Sequence, residues 1–238
     1  MFFRTTPLYL LLLATLLTSC GSTHYASPEA SRAQYYQSAP DPITNSLFSS
    51  PESTISEADI QRILNGEITL PEKLRMAVLQ LNGYQGNRYW YGSETYRTQL
   101  AAYFKTIVTA AEASDRTTWV SALPKLLVSQ DRNIFTLRES AVRMQADVLL
   151  LYNVSSDIYS EFKLFKKDEG KAYANIEAML LDIRTGVIVW TEQISAEASG
   201  SKVESDTGQD DFYRRLRTEA EGKAIEDLGE RLKAYLTD

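Results

Sequence analysis

The sequence predicts an α/β domain in which a mixed β-sheet carries helices packed on it. Three observations point there. Residues 73–81 (KLRMAVLQL) and 147–154 (DVLLLYNV) are apolar on both faces, the pattern of strands covered on both sides. Residues 172–182 and 187–196 form two strand-like runs, the first clearly alternating, divided by Arg184-Thr185-Gly186, which suits a hairpin turn. Residues 93–111 and 210–236 repeat apolar side chains at helical spacing.

The chain begins differently. Arg4 precedes an apolar run, Leu8–Leu17, of about ten residues, and the run ends Leu17-Thr18-Ser19-Cys20. A membrane-spanning helix needs about 20 residues, so the length is that of a secretion signal. The ending resembles the bacterial lipobox: a branched apolar residue, two small residues, then Cys. That resemblance implies removal of residues 1–19 and linkage of Cys20 to diacylglycerol and further acyl chains such as palmitate. Each buried CH₂ contributes about 0.8 kcal/mol, so two or more chains anchor stably. Gly21 and Ser22 follow, with no Asp to hold the protein at the inner membrane. The expected address is the outer membrane, facing the periplasm. Cys20 is the sole cysteine, so no internal disulfide can form.

Residues 20–55 are rich in Ser, Pro, Ala and Tyr and show no period, and Pro28, Pro40, Pro42 and Pro51 interrupt helix formation. They read as the lipidated Cys and a disordered tether with an r.m.s. span of roughly 30–35 Å. Residues 56–238 are expected to form one periplasmic domain, long enough to bury a sizeable core.

Ser56 fits the N-cap of a short helix that Asn65-Gly66 ends, with Ile55 and Ile60 as a hydrophobic staple. The strand at 73–81 follows, then a loop from Asn82 to Gly92. Ser93 is placed to cap a helix buried through Leu100, Ala101, Phe104, Ile107, Val108 and Ala111. A second strand spans Thr117–Leu123 and stops before Pro124. Thr136-Leu137-Arg138-Glu139 reads as a capping box opening a helix through Met144. The strand at 147–154 runs on towards Phe165 with weakening alternation. The hairpin follows. The last helix, 210–236, repeats Phe212, Leu216, Ala220, Ala224, Leu228 and Leu232, with Ile225 and Tyr235 widening the stripe.

Four segments in this order are LRMAVLQL at 74–81, TLRESAVRMQADVLLLY at 136–152, LLDIRTGVIVW at 180–190 and the Ala-rich terminal helix. Behind a lipobox they resemble periplasmic lipoproteins with the fold shared by the curli secretion lipoprotein, the lipoprotein activators of penicillin-binding proteins and the TolB amino-terminal domain. The recurrent parts are the ADxLL strand at Ala146–Leu150 and the D-x-x-T-G-x-x-x-W hairpin of Asp182, Thr185, Gly186 and Trp190. The resemblance covers about 170 residues. It implies a membrane-anchored, non-catalytic binding or scaffolding module for another envelope component. An oligomeric secretion-channel-type subunit is the alternative, and a homo-oligomer stays open. Channels of the curli type insert β-hairpins. Here Ser160–Lys171 reads as one short charged connection, whereas a membrane strand needs about 9–11 residues with an apolar outer face.

The chemistry-bearing residues argue in the same direction. Lys and Arg number 25 against 31 Asp and Glu with no basic block, so nucleic acid is not an expected partner. The single histidine, His24, lies in the tether, which leaves no Ser-His-Asp triad. No HExxH, CxxC, Walker or GxGxxG pattern occurs, so no metal or cofactor is expected. Asp210 and Asp211 open the last helix, where its dipole favours acidic residues. A carboxylate-dependent hydrolase is the remaining enzymatic alternative. The candidate partner surface is Tyr84, Arg88, Tyr89, Trp90, Tyr91 and Tyr96, between the carboxyl end of a buried strand and the start of a helix. Ligands favour that position in α/β sheets, and Tyr, Trp and Arg are the usual interface anchors. The competing reading is that these rings cover the end of the core.

Overall fold

The computed structural model describes residues 47–48, 55–81, 94–129, 133–161 and 169–238. Its elements are α1 (Glu57–Asn65), β1 (Leu74–Gln80), α2 (Glu94–Glu112), β2 (Thr117–Ala122), a 3₁₀ turn (Lys125–Leu127), α3 (Ile134–Arg143), β3 (Val148–Glu161), β4 (Glu169–Asp182), β5 (Ile188–Ser201) and α4 (Gln209–Thr237). The five strands form one mixed sheet in the order β2-β1-β3-β4-β5, as expected of the fold class.

β1 is parallel to both β2 and β3. The chain leaves β1 through α2 to reach β2, then passes back across β1 through α3 to reach β3. The two crossovers run in opposite directions and their helices pack on opposite faces, as the right-handed rule for parallel connections requires. The core divides accordingly. Met76, Val78, Leu150, Tyr103, Ile107 and the α4 stripe fill one side, while Ala77, Leu149, Leu151, Leu137 and Ala141 fill the other. Both faces of β1 are therefore covered, as its sequence requires. Each large apolar side chain buried here contributes roughly 1.5–3 kcal/mol.

β3, β4 and β5 form an antiparallel meander in which each strand is 14 residues long. This exceeds the expected hairpin, and the pairing reaches Tyr159↔Lys171 and Glu161↔Glu169 at one end and Glu169↔Ser201 beyond it. The extension has a packing cause. Gly170, Ala172, Ala174, Ala178, Ala198 and Gly200 line the side facing α4, and their small size lets the helix lie close. A Cβ at Gly170 would stand 3.1 Å from Phe212 and Leu216. The predicted α4 stripe from Phe212 to Leu232, with Ile225, is buried, and Tyr235 is partly buried. The opposite face of the meander, at Lys171, Tyr173, Asn175 and Glu177, is open to solvent.

Local details differ from expectation in two places. Asn133, rather than Thr136, is the N-cap of α3, and its side chain accepts from the Thr136 N–H at 2.9 Å. Glu139 instead pairs with Arg143 one turn on. In α2 the buried face holds Tyr103, Ile107 and Ala111, with Leu100 and Phe104 partly buried, whereas Ala101 is exposed. The stripe is turned towards α4, which receives the Tyr103 hydroxyl. The Ser56 cap of α1 is present, accepting from the Asp59 N–H at 3.2 Å. Leu47, within the stretch read as tether, packs against the α3 side of the core, and its carbonyl accepts from the Ile134 N–H.

Candidate functional site

Cys20, Tyr84, Arg88, Tyr89, Trp90 and Tyr91 lie outside the described residues. Tyr96 is described, on the first turn of α2. What the structure places around it is a polar cluster just past the carboxyl end of β1, which sequence reasoning did not anticipate.

The cluster centres on Glu221 of α4. Ser156 of β3 donates to Glu221 Oε1 at 2.6 Å, and Tyr103 Oη and Gln99 Nε2 of α2 donate to Oε2 at 2.9 and 2.8 Å. Gln99 and Tyr103 stand one turn apart on α2, so both reach the same carboxylate. β3 extends beyond the end of β1, which pairs only as far as Gln80↔Tyr152, and this overhang brings Ser156 under α4. Tyr152 is buried there and its hydroxyl donates to Gln80 at 3.3 Å.

Burial pushes the Glu221 carboxyl up, opposed by the hydrogen bonds from Ser156 and Tyr103 and the charge of Arg217. Burial, followed by the charge of Glu221, lifts the Tyr103 hydroxyl far above the usual phenol range. Arg217 sits one turn before Glu221, and its Nε is buried with no hydrogen-bond partner. The arrangement joins α2, α4 and β3 near the carboxyl end of β1. Among the described residues no group of His, Cys, Asp and Glu is arranged to hold a metal ion.

A second ionic centre holds the opposite end of the sheet. Asp147, at the start of β3, accepts from the Arg75 N–H and Nε, both at 3.0 Å, and from its Nη2 at 3.1 Å. Arg184 from the β4–β5 turn approaches at 3.4 Å. The hydrogen bonds from Arg75 hold the Asp147 carboxyl below the usual carboxylate range. Asp182 closes the same turn by accepting from the N–H groups of Arg184 and Thr185. The D-x-x-T-G segment thus works as turn chemistry. Trp119 and Trp190 pack partly buried against the core, Trp190 tilted against Tyr235 with ring centres 5.9 Å apart. Asp210 and Asp211 lie in the first turn of α4, as predicted.

No family model and no curated protein matches the chain. Solved structures are similar at low identity. The hypothetical protein CT253 from Chlamydia trachomatis is 13% identical, with a TM-score of 0.43, covering 69% of this chain and 98% of its own. PelC from Paraburkholderia phytofirmans, solved as a dodecamer, is 14% identical with a TM-score of 0.34, covering 71% and 95%. A minor lipoprotein from Acinetobacter baumannii is 12% identical with a TM-score of 0.33, covering 68% and 91%.

Proposed function

We propose that this chain is a lipid-anchored, non-catalytic binding module of the bacterial envelope, held through Cys20 and facing the periplasm from the outer membrane. Its binding surface is the carboxyl end of β1, where Tyr84, Arg88, Tyr89, Trp90, Tyr91 and Tyr96 meet another envelope protein. The observation that supports this most is the Glu221 cluster. It fixes the start of α2 to α4 and β3, so the connection carrying the aromatic residues leaves and rejoins a rigid frame. A preorganised frame lowers the cost of ordering an interface.

The test has two arms. Labelling with a palmitate analogue in intact cells should mark the wild-type chain and not Cys20→Ser. Equal labelling of both would remove the anchor. Cross-linking and pull-down from the same cells should recover a specific partner with wild type and lose it with Trp90→Ala/Tyr91→Ala, while both chains give the same circular dichroism. An unchanged partner would take the aromatic segment out of the account.

A further inference from the structure

Leu47 lies in the stretch that composition assigns to the tether, yet the domain holds it. Its side chain is half-buried against the cluster that includes Leu123, Ile134, Leu137 and Ala141, and its carbonyl accepts from the Ile134 N–H at 3.0 Å. Ile134 opens α3, and the first N–H groups of a helix have no acceptor within it. Asn133 Oδ1 serves the Thr136 N–H, so Leu47 and Asn133 together supply acceptors to the first turn of α3.

The chain is held again just before β1. Leu70 packs against the core on the other face of the sheet, Pro71 O accepts from Arg116 Nη2 at 3.4 Å, and Lys73 Nζ donates to Asp115 O at 2.7 Å. Between these two points nothing comparable occurs among the described residues. α1 has no buried residue, and Leu64 on its apolar side is 72% exposed. The hydrogen bonds and the ion pair of residues 55–69 stay within that segment.

We infer that Leu47 is a releasable clasp: closed, it joins the N-terminal chain to α3; open, it frees residues 47–69 with α1 and lengthens the tether. The grip is one half-buried side chain and one backbone hydrogen bond, so it opens without unfolding the sheet or the body of α3. The freed span adds roughly 60 Å at full extension, with α1 kept at about 1.5 Å per residue and the rest at about 3.3 Å. A clasp of this kind sets how far the domain reaches from its anchor. The reach rests on the lipid anchor at Cys20 of the proposed function; the clasp does not.

The experiment uses the full chain carrying Cys20→Ser, which has no native thiol. Amide exchange followed by NMR should find the Ile134 N–H protected, but less so than Ala141 in the body of α3. Leu47→Asp should speed Ile134 exchange by about tenfold or more and leave Ala141 unchanged. Spin labels on Asn45→Cys and Glu139→Cys should report one short distance, because Asn45 lies two residues before the clasp and Glu139 less than two turns after Ile134. Leu47→Asp should lengthen and broaden it. An exchange rate or a label distance that Leu47→Asp leaves unchanged would overturn the clasp, and an Ile134 amide as slow as Ala141 would show a fixed joint instead of a releasable one. Should Leu47→Asp fail to fold by circular dichroism, Leu47→Ala is read in the same ways. Absence of palmitate on Cys20 would end the change in reach and leave both readouts as they stand, so the two readings fail separately.

Discussion

Tyr103 and Glu221, 118 residues apart in sequence, join the two helices that cover one face of the sheet, the Tyr103 hydroxyl donating to Glu221 Oε2 at 2.9 Å. The carboxylate there also receives Gln99 and Ser156, yet burial raises its pKa from the ordinary 4.5. A group whose pKa is raised by folding contributes stability below its unfolded value, and that contribution is lost as pH rises through the folded value. Glu221→Gln should therefore gain stability relative to wild type as pH rises above about 4.5. Urea unfolding at several pH values reads this directly, and parallel profiles for the two proteins would contradict it.

Asp147 carries the opposite sign. Arg75 lowers its pKa from the ordinary 3.8, so its stabilisation is present above that value and lost as pH falls through the lower folded one. Asp147→Asn should cost about 2 kcal/mol at pH 7, the scale of hydrogen bonds to a charged group with a partly exposed partner. The deficit should shrink in acid. A deficit that stays constant down to the acid transition would show that the charge is not involved.

Two glycines of α4 should respond in opposite directions. A Cβ at Gly222 meets nothing within 4 Å, so Gly222→Ala should stabilise the helix by about 0.5–1 kcal/mol. At Gly229 a Cβ would lie 3.1 Å from that of Ala110 on α2. Gly229→Leu should force the helices apart and cost about 1–3 kcal/mol. Thermal melts of the two variants should move to either side of wild type.

The β4–β5 turn offers a further test. Gly186 has φ of +78°, and a Cβ there would stand 3.3 Å from Arg138 Nη1. Arg138 Nε donates to Ile183 O at 2.6 Å, tying α3 to the turn. Gly186→Ala should cost about 1–2 kcal/mol through the left-handed backbone. Gly186→Asn should cost less, because Asn tolerates that region better. Equal losses would shift the cause from backbone strain to crowding of Arg138.

Sequence alone determined the elements whose physics is local. The two apolar runs of β1 and β3 announced strands covered on both faces, and the fourfold spacing of Phe212 to Leu232 announced a helix lying on the sheet, because periodicity records which face is buried. The turn at Arg184-Thr185-Gly186 was legible because Gly takes its left-handed backbone without strain. Tertiary structure decided the rest. The length of β3, β4 and β5 depends on Gly170 and Gly200 meeting Phe212 and Leu216, a contact between distant segments. The orientation of α2 depends on where Glu221 stands, and Glu221 looks in sequence like any solvated acid beside an apolar stripe. Its surroundings come from three elements far apart in the chain, and no local pattern encodes a carboxylate whose donors are assembled only when the sheet and both helices close around it.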